Sequence, residues 1–141
     1  MSHHIERIFT DKGPPPQGPY NQAVKAGNMI FTAAMGAIDP KTNKRIDGDI
    51  PELAEQLFSN IKAVLAEAGA SLDDVVKATV YLTVGDDPAE QRAHFEAFNK
   101  VYETHFTGVR PARAFINIYR PSQVPNVGMD VIAVTHDGHD H

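Results

Sequence analysis

One apolar stripe with helical spacing restricts the fold of this chain more than any other feature. It is preceded by Asp49, Pro51 and Glu52, which have the form of a capping box with proline in the first turn, and it is followed by Gly69, a residue typical of the position just past a helix end. Its apolar side chains recur every three or four residues: Leu53, Leu57, Phe58, Ile61, Val64, Leu65 and Ala68. The pattern predicts an amphipathic helix whose apolar face needs a second layer to pack against.

Strand-like segments supply that layer. In residues 76–84 apolar side chains alternate with polar ones, as in a half-buried strand, and Gly27-Asn28 is a two-residue hairpin signal. A second helix is predicted to begin at Asp87, where Asp87-Pro88-Ala89-Glu90 has the form of another capping box. Its apolar positions are Ala93, Phe95, Phe98, Val101 and Tyr102. The predicted strands cover residues 5–9, 23–26, 29–34, 76–84 and 127–134, besides one after Pro111.

The resulting order of elements is strand, hairpin, helix, strand, helix, strand, strand. It predicts an α+β domain in which two helices cover one face of a single sheet. The other face is too polar for a deep core and too rich in Thr, Tyr, Phe and Asn for plain surface. That face is therefore expected to pack on another copy of the chain, although the number of copies stays open.

Composition excludes several function classes. The 141 residues, 42% hydrophobic and 22% charged, indicate one ordinary domain, expected over residues 1–135, followed by a His- and Asp-bearing tail at 136–141. The absence of cysteine excludes disulfides and thiol catalysis. A net charge of −5 without a basic run argues against nucleic acid as a partner. No apolar run approaches the ~20 residues of a membrane span and no secretory signal is recognisable, so a cytoplasmic location is expected.

Residues 110–119 carry the main functional signal. Pro111 fixes the entry of the chain, and an arginine held on the following strand presents a rigid fork suited to a carboxylate or a phosphate. An ion pair between Arg113 and a surface acid would explain the residue equally well. The face of Arg113 also carries Phe115, Asn117 and Tyr119, whereas the opposite face, expected to be the core face, carries Ala114, Ile116 and Ile118.

A second candidate is Tyr20, at the end of a loop stiffened by four prolines in residues 11–20. This loop is either functional or a plain connector on which Tyr20 packs as a lid. The sequence contains no glycine-rich phosphate loop, nucleophile elbow or paired His cluster that would indicate another kind of active site. His94 is either a boundary histidine or a general base. What remains is a small-molecule site built from Tyr20, Arg113, Asn117 and backbone groups, with Arg113 capturing a carboxylate.

Two motifs together resemble the reactive intermediate deaminase family (Rid, or YjgF-like). The early motif is Gly18-Pro19-Tyr20-Asn21-Gln22-Ala23 and the late one is Arg110-Pro111-Ala112-Arg113. The resemblance runs in order from about residue 18 to residue 134. Further matching segments are residues 27–32, 39–42, 60–65, 76–82, 95–99 and 131–134.

The resemblance implies a chorismate-mutase-like α+β fold and a homotrimer whose sheets form a central barrel with ligand clefts between subunits. It also implies hydrolysis of enamine or imine acids, such as 2-aminoacrylate, to 2-oxo acids and ammonia, without a metal or organic cofactor. In that scheme Arg113 grips the substrate carboxylate and Tyr20 closes the cleft.

The chain departs from the family pattern at several site positions. Gly128 stands where a water-positioning Glu is expected, and Asp130, two residues on along the same strand face, is a candidate substitute. Ala33-Ala34-Met35 stands in place of a Ser-Gly-Gln turn, and Phe115 in place of a small residue. The predicted substrate contacts are therefore Arg113, Tyr20, Phe115, Asn117, Ala33, Met35 and Gly128.

Four functions follow as hypotheses. The first is a deaminase for a small carboxylate-bearing enamine or imine, with Asp130 or backbone-held water in place of the Glu. The second is a non-catalytic or regulatory trimer that binds small carboxylates. The third is a deaminase for a larger, more apolar substrate, which Phe115 would favour. The fourth, an endoribonuclease, is disfavoured by the acidic charge and the lack of a basic patch.

Overall fold

A computed structural model describes residues 4–120 and 125–136. The predicted order of strands and helices is confirmed, with three additional short strands between the hairpin and the first helix. The elements are β1 (Ile5–Ile8), β2 (Ala23–Ala26), β3 (Met29–Thr32), β4 (Met35–Gly36), β5 (Ile38–Asp39), β6 (Lys44–Arg45), α1 (Ile50–Glu67), a 3-10 turn (Leu72–Asp74), β7 (Val75–Val84), α2 (Pro88–His105), β8 (Ala112–Tyr119) and β9 (Asn126–Val134).

The main sheet is mixed. Its strand order is β1-β2-β3-β9-β7-β8, with β4 pairing to β9, and only the β7–β8 pair among these is parallel. The helices α1 and α2 pack on each other, and α1 also contacts β9, β4 and β3. Buried side chains of both helices and the central strands form one core. Two helices packed on a mixed sheet confirm the predicted α+β class.

The first helix begins and ends where the sequence predicts. The Asp49 carboxylate accepts a hydrogen bond from the Glu52 backbone N–H at 3.0 Å, and the Glu52 carboxylate accepts one from the Asp49 N–H at 2.9 Å. Gly69, just past the helix, has φ of +86°, a conformation that costs glycine little. Local chemistry thus defines both ends of α1.

The second predicted capping box is wrong. Asp87 caps α2 by accepting a hydrogen bond from the Ala89 N–H at 3.0 Å, but Glu90 returns no bond to Asp87. The Glu90 carboxylate lies instead 3.9 Å from His94 Nε2, one turn further along the helix. A single cap therefore starts α2.

The predicted core face of β8 is also wrong. Ile116 is 44% exposed on the face away from the helices, whereas the Phe115 ring packs on Phe95 and Phe98 of α2, with centroids 4.8 and 5.9 Å apart. Pairing with β7 decides which β8 side chains face the helices, because Phe115 lies beside the buried Val80 in the register of the two strands. The face that carries Arg113 is therefore the face that α2 covers.

A bulge shifts the start of β7. The pairing of β7 with β9 skips one residue between Val75 and Lys77, so that Val75 is buried and Val76 is 48% exposed. The sequence pattern placed Val76 on the core side, and that placement is wrong. From Ala78 onward the predicted alternation is confirmed.

The sheet face opposite the helices carries a mixed set of side chains. Phe31 of β3 is 37% exposed there, and Tyr81 of β7 donates a hydrogen bond to Asp130 of β9 on the same face. In the described part of the chain, neither helix has the length and apolar character needed to cross a lipid bilayer. The proposed tail at 136–141 lies outside the described residues except for His136, which is exposed.

Candidate functional site

Arg113 lies at the start of β8 and faces α2. Its guanidinium carbon is 4.7 Å from the centre of the Tyr102 ring and 5.0 Å from that of Phe115. Its Nη1 donates a hydrogen bond to Asn99 Oδ1 at 2.7 Å. These contacts fix the guanidinium plane and leave Nε and Nη2 for a bidentate pair with a carboxylate.

The cleft in front of Arg113 has a volume of about 360 Å³. It contains a second arginine, Arg110, whose Nε donates to the Phe106 carbonyl at 2.8 Å. Among the described residues neither arginine forms an ion pair with a carboxylate. The lining residues are Asn99, Tyr102, Glu103, Arg110, Pro111 and Arg113.

Tyr102 forms the floor of this cleft. It is 7% exposed, and its hydroxyl is buried without a hydrogen-bond partner in the described part of the chain. Burial raises the pKa of Tyr102 above its ordinary value of 10.0, and the positive charges of Arg113 and Arg110 act in the opposite direction. The ring thus supports Arg113, while its hydroxyl makes no hydrogen bond to any of the described residues.

Replacing Tyr102 with phenylalanine is expected to leave the free energy of unfolding near pH 7 unchanged or to raise it by up to about 1 kcal/mol, because a buried hydroxyl without a partner is removed. A raised pKa in the folded state means that wild type loses stability as the pH rises above about 10, and the variant should lose less there. Urea unfolding of wild type and variant near pH 7 and above pH 10 measures both differences in the free energy of unfolding. A clear destabilisation near pH 7 would show that the hydroxyl has a partner after all.

Tyr20 belongs to a different cleft. It is 47% exposed, and its hydroxyl accepts a hydrogen bond from the Gln17 N–H at 2.9 Å. The predicted contacts Ala33 and Met35 line the same cleft, whose volume is about 140 Å³. Three predicted site residues, Tyr20, Ala33 and Met35, are therefore brought together.

A buried glutamine holds the loop that carries Tyr20. Gln22 is 2% exposed; its Oε1 accepts from the Thr10 N–H at 2.8 Å, and its Nε2 donates to the Thr10 and Pro14 carbonyls at 3.0 and 2.8 Å. The loop therefore depends on one side-chain amide in addition to its prolines. Sequence reasoning included Gln22 in the early motif but missed this role, because its position after a proline-rich loop does not show that its side chain is buried.

The opposite wall of the Tyr20 cleft is held in the same way. Asn60 of α1 is fully buried, and its Nδ2 donates to the Gly36 and Ile38 carbonyls at 2.9 and 2.8 Å. The Gln56 Nε2 donates a hydrogen bond to the Asn60 Oδ1 at 3.1 Å. Two buried amides thus fix the two sides of one small cleft.

Gly128 and Asp130 lie on the sheet face away from the helices. Asp130 Oδ2 accepts a hydrogen bond from the Tyr81 hydroxyl at 2.8 Å, and this bond raises the pKa of Tyr81. A Cβ atom placed on Gly128 would lie 3.5 Å from the Met35 carbonyl oxygen and 3.8 Å from Tyr81 Cβ, which are ordinary contacts. A side chain therefore fits at position 128.

The predicted residues do not form one site within a single chain. Arg113 and Phe115 face α2, whereas Asp130 faces away from the helices on β9, two strands and roughly 10 Å across the sheet. Asn117 lines a third cleft, of about 400 Å³, with Phe95 and Arg92 of α2. Among the described residues no group of three His, Asp or Glu side chains is placed to hold a metal ion.

Comparison with known proteins gives consistent matches over nearly the whole chain. Residues 10–135 match the family model described as endoribonuclease L-PSP. A RutC family protein of Pyrococcus abyssi is 45% identical over 128 residues, which cover 91% of this chain and 95% of that protein.

Solved structures agree with these matches. The crystal structure of RidA from an Antarctic Psychrobacter bacterium is similar with a TM-score of 0.79 and 35% identity, covering 92% of this chain and 99% of that one. The crystal structure of E. coli TdcF with bound serine is similar with a TM-score of 0.75 and 28% identity, covering 92% and 98%.

Proposed function

The chain belongs to the endoribonuclease L-PSP family of YjgF/Rid proteins, and we propose that it is a deaminase that hydrolyses a carboxylate-bearing enamine or imine to a 2-oxo acid and ammonia. Membership in the family supports a function directed at small molecules. The observation that carries the finer proposal is the guanidinium of Arg113, fixed by Asn99 and Tyr102 at an open cleft.

Arg113 suits the carboxylate of an amino-acid-like ligand. A fixed guanidinium edge binds both carboxylate oxygens at once, which orients the neighbouring C=N group as well as holding the substrate. The related TdcF structure contains serine, a small molecule with the same carboxylate and nitrogen arrangement. The ligand class proposed here therefore has a counterpart in a protein of the same fold.

We further propose that the site is completed by a second copy in a homotrimer. Arg113 and Tyr20 lie in separate clefts of one chain, and Ile116 and Phe31 expose apolar surface on the open sheet face. Packing of that face on a neighbour would bury this surface. Arg113 faces α2 but lies on β8, the edge strand of the sheet, and in the assembly that we propose the Tyr20 cleft of one copy meets this edge of another. The sheets would then form the central barrel implied by the family resemblance.

Hydrolysis needs water directed at the imine carbon. Water adds to that carbon, a proton moves to nitrogen, and the carbinolamine loses ammonia to leave the 2-oxo acid; an enamine first takes a proton on carbon. Gly128 offers no side chain for this role, so the attacking water is directed either by Asp130 or by backbone groups that hold it. The Tyr81 bond orients the Asp130 carboxylate on the same strand face as Gly128.

A coupled assay tests the reaction. An amino acid oxidase generates a 2-imino acid in the cuvette, and the rate of 2-oxo acid formation is compared with and without the protein. Wild type is expected to exceed the spontaneous rate. If the rate is unchanged for every imino acid tried, the deaminase proposal is wrong. The second candidate function is then a carboxylate-binding protein without catalytic activity, which the lack of a side chain at Gly128 favours.

Gly128→Glu is expected to raise the hydrolysis rate by roughly 10- to 100-fold, because a carboxylate that activates water commonly contributes about that much or more. The backbone accepts a Cβ atom at this position, since it would lie at ordinary contact distance from its neighbours. Gly128→Gln is the matched control: it adds the same bulk without a base. Equal rates for the two variants would show that position 128 does not face the reacting carbon.

The remaining two hypotheses gain no support from the described residues. The Phe115 ring packs on Phe95 and Phe98 and lines neither the Arg113 cleft nor the Tyr20 cleft, so within one chain it does not make either cleft more apolar for a larger substrate. Ribonuclease activity, suggested by the name of the family model, is disfavoured by the net charge of −5.

A further inference from the structure

Two arginines face one cleft at the start of β8. Arg110 and Arg113 are three residues apart, both line the same cleft, and Pro111 between them restricts the backbone. Each guanidinium makes one fixing hydrogen bond, Arg110 Nε to the Phe106 carbonyl and Arg113 Nη1 to Asn99. Each therefore keeps a set of N–H donors for a ligand.

The charge of this cleft contrasts with that of the chain. The whole sequence carries a net charge of −5, whereas the cleft holds two arginines and one acid, Glu103, which forms no ion pair with either arginine among the described residues. The Arg113 guanidinium lies 4.7 Å from the centre of the Tyr102 ring, and Arg110 lines the same cleft, so both positive charges face one small volume. One carboxylate would neutralise only one of them.

We propose that Arg110 is a specificity-determining residue that binds a second carboxylate, so that the preferred ligands of this site are dicarboxylic acids of four or five carbons. Arg113 holds the carboxylate next to the imine or keto carbon, and Arg110 holds the terminal one. The cleft of about 360 Å³ is within the usual size range of small-molecule pockets. The inference rests on the proposed function for its reaction, but the recognition of two carboxylates does not depend on turnover.

Calorimetric titration with two probes of equal chain length tests this inference. The probes are 2-oxoglutarate and 2-oxopentanoate, which differ by the terminal carboxylate. Wild type is expected to bind 2-oxoglutarate about 10-fold more tightly or better, since each added hydrogen bond between charged groups typically has an effect of that order. Arg110→Gln should remove this preference, weakening 2-oxoglutarate binding about 10-fold more than 2-oxopentanoate binding.

Two further variants sharpen the result. Glu103→Gln removes the acid that lines the cleft and should tighten 2-oxoglutarate binding. Lys62→Gln removes an exposed positive charge on α1 and should change the affinity for neither probe. Equal affinity of wild type for both probes, or an equal loss of both in Arg110→Gln, would overturn the inference. Inorganic phosphate binding more tightly than 2-oxoglutarate would also overturn it, in favour of a phosphate site.

The outcome separates this inference from the proposed function. Arg110-dependent binding of 2-oxoglutarate by a protein that hydrolyses no imino acid would retain the dicarboxylate site and reject the deaminase. Hydrolysis of monocarboxylic imino acids without any preference for the dicarboxylic probe would retain the deaminase and reject the dicarboxylate site.

Discussion

Replacing Arg113 with alanine is expected to lower kcat/KM for imino acid hydrolysis by about 10- to 100-fold, the range that corresponds to losing hydrogen bonds to a charged group. The side chain is exposed at the cleft and is held by Asn99 and by the Tyr102 ring. Its removal takes away the carboxylate anchor without opening the core. The free energy of unfolding should fall by only about 1 kcal/mol, the usual size of an exposed cation–π contact.

Arg113→Lys and Asn99→Ala are the informative companions. Lysine keeps the positive charge but lacks the planar fork, so kcat/KM should fall to a value between those of wild type and Arg113→Ala. Asn99→Ala keeps the arginine but frees its guanidinium, and it should weaken binding less than Arg113→Ala does. Unchanged kcat/KM in Arg113→Ala, with Lys62→Ala as the control for lost charge, would remove Arg113 from the site.

Gln22→Leu is expected to destabilise the protein by about 3 kcal/mol or more. Three hydrogen bonds are lost at once. The Thr10 N–H and the Pro14 carbonyl are left without that partner at a buried position, at roughly 1–3 kcal/mol each, whereas the Thr10 carbonyl keeps its bond from the Gly13 N–H. The loop that carries Tyr20 should also loosen. Urea unfolding measures the first effect, and hydrogen exchange of the Gln17 N–H, which bonds the Tyr20 hydroxyl, measures the second.

Gln56→Leu is the matched control, because it removes the same amide from a half-buried helix position with a single bond to Asn60. Because one buried acceptor, the Asn60 oxygen, loses its bond, the expected loss is about 1–2 kcal/mol and stays below that of Gln22→Leu. Gln22→Glu keeps the acceptor for Thr10 but loses both donors and places a carboxylate beside two carbonyls, so it should destabilise nearly as much as leucine. A loss below about 1 kcal/mol in Gln22→Leu would mean that the prolines alone order the loop.

Helix ends were predictable from the sequence because their determinants are local. The Asp49–Glu52 box and Gly69 act within one turn of the backbone they define. The face of β8 was not predictable in this way, since two apolar alternations compete in the same eight residues. The β7 register and the aromatic side chains of α2 decide between them, and both are distant in sequence.

The site was predictable in part for a similar reason. Arg113 and Tyr20 stand out through residue type and flanking prolines, and the structure gives each a defined cleft. The role of Gln22 depends on partners 8 and 12 residues away across a loop, which no periodicity reveals. The separation of the Arg113 and Tyr20 clefts follows only from the strand order, because spacing along the sequence does not show on which strand and on which face of the sheet the two residues lie.

A crystal structure of the assembled protein with a bound 2-oxo acid would show whether Arg113 anchors the substrate carboxylate. We expect the carboxylate on the Nε and Nη2 atoms of Arg113, at the roughly 2.7–2.9 Å of a charged hydrogen bond, with Tyr20 of a second copy covering the ligand. A ligand bound away from Arg113, or a site closed by Tyr20 of the same copy, would contradict it.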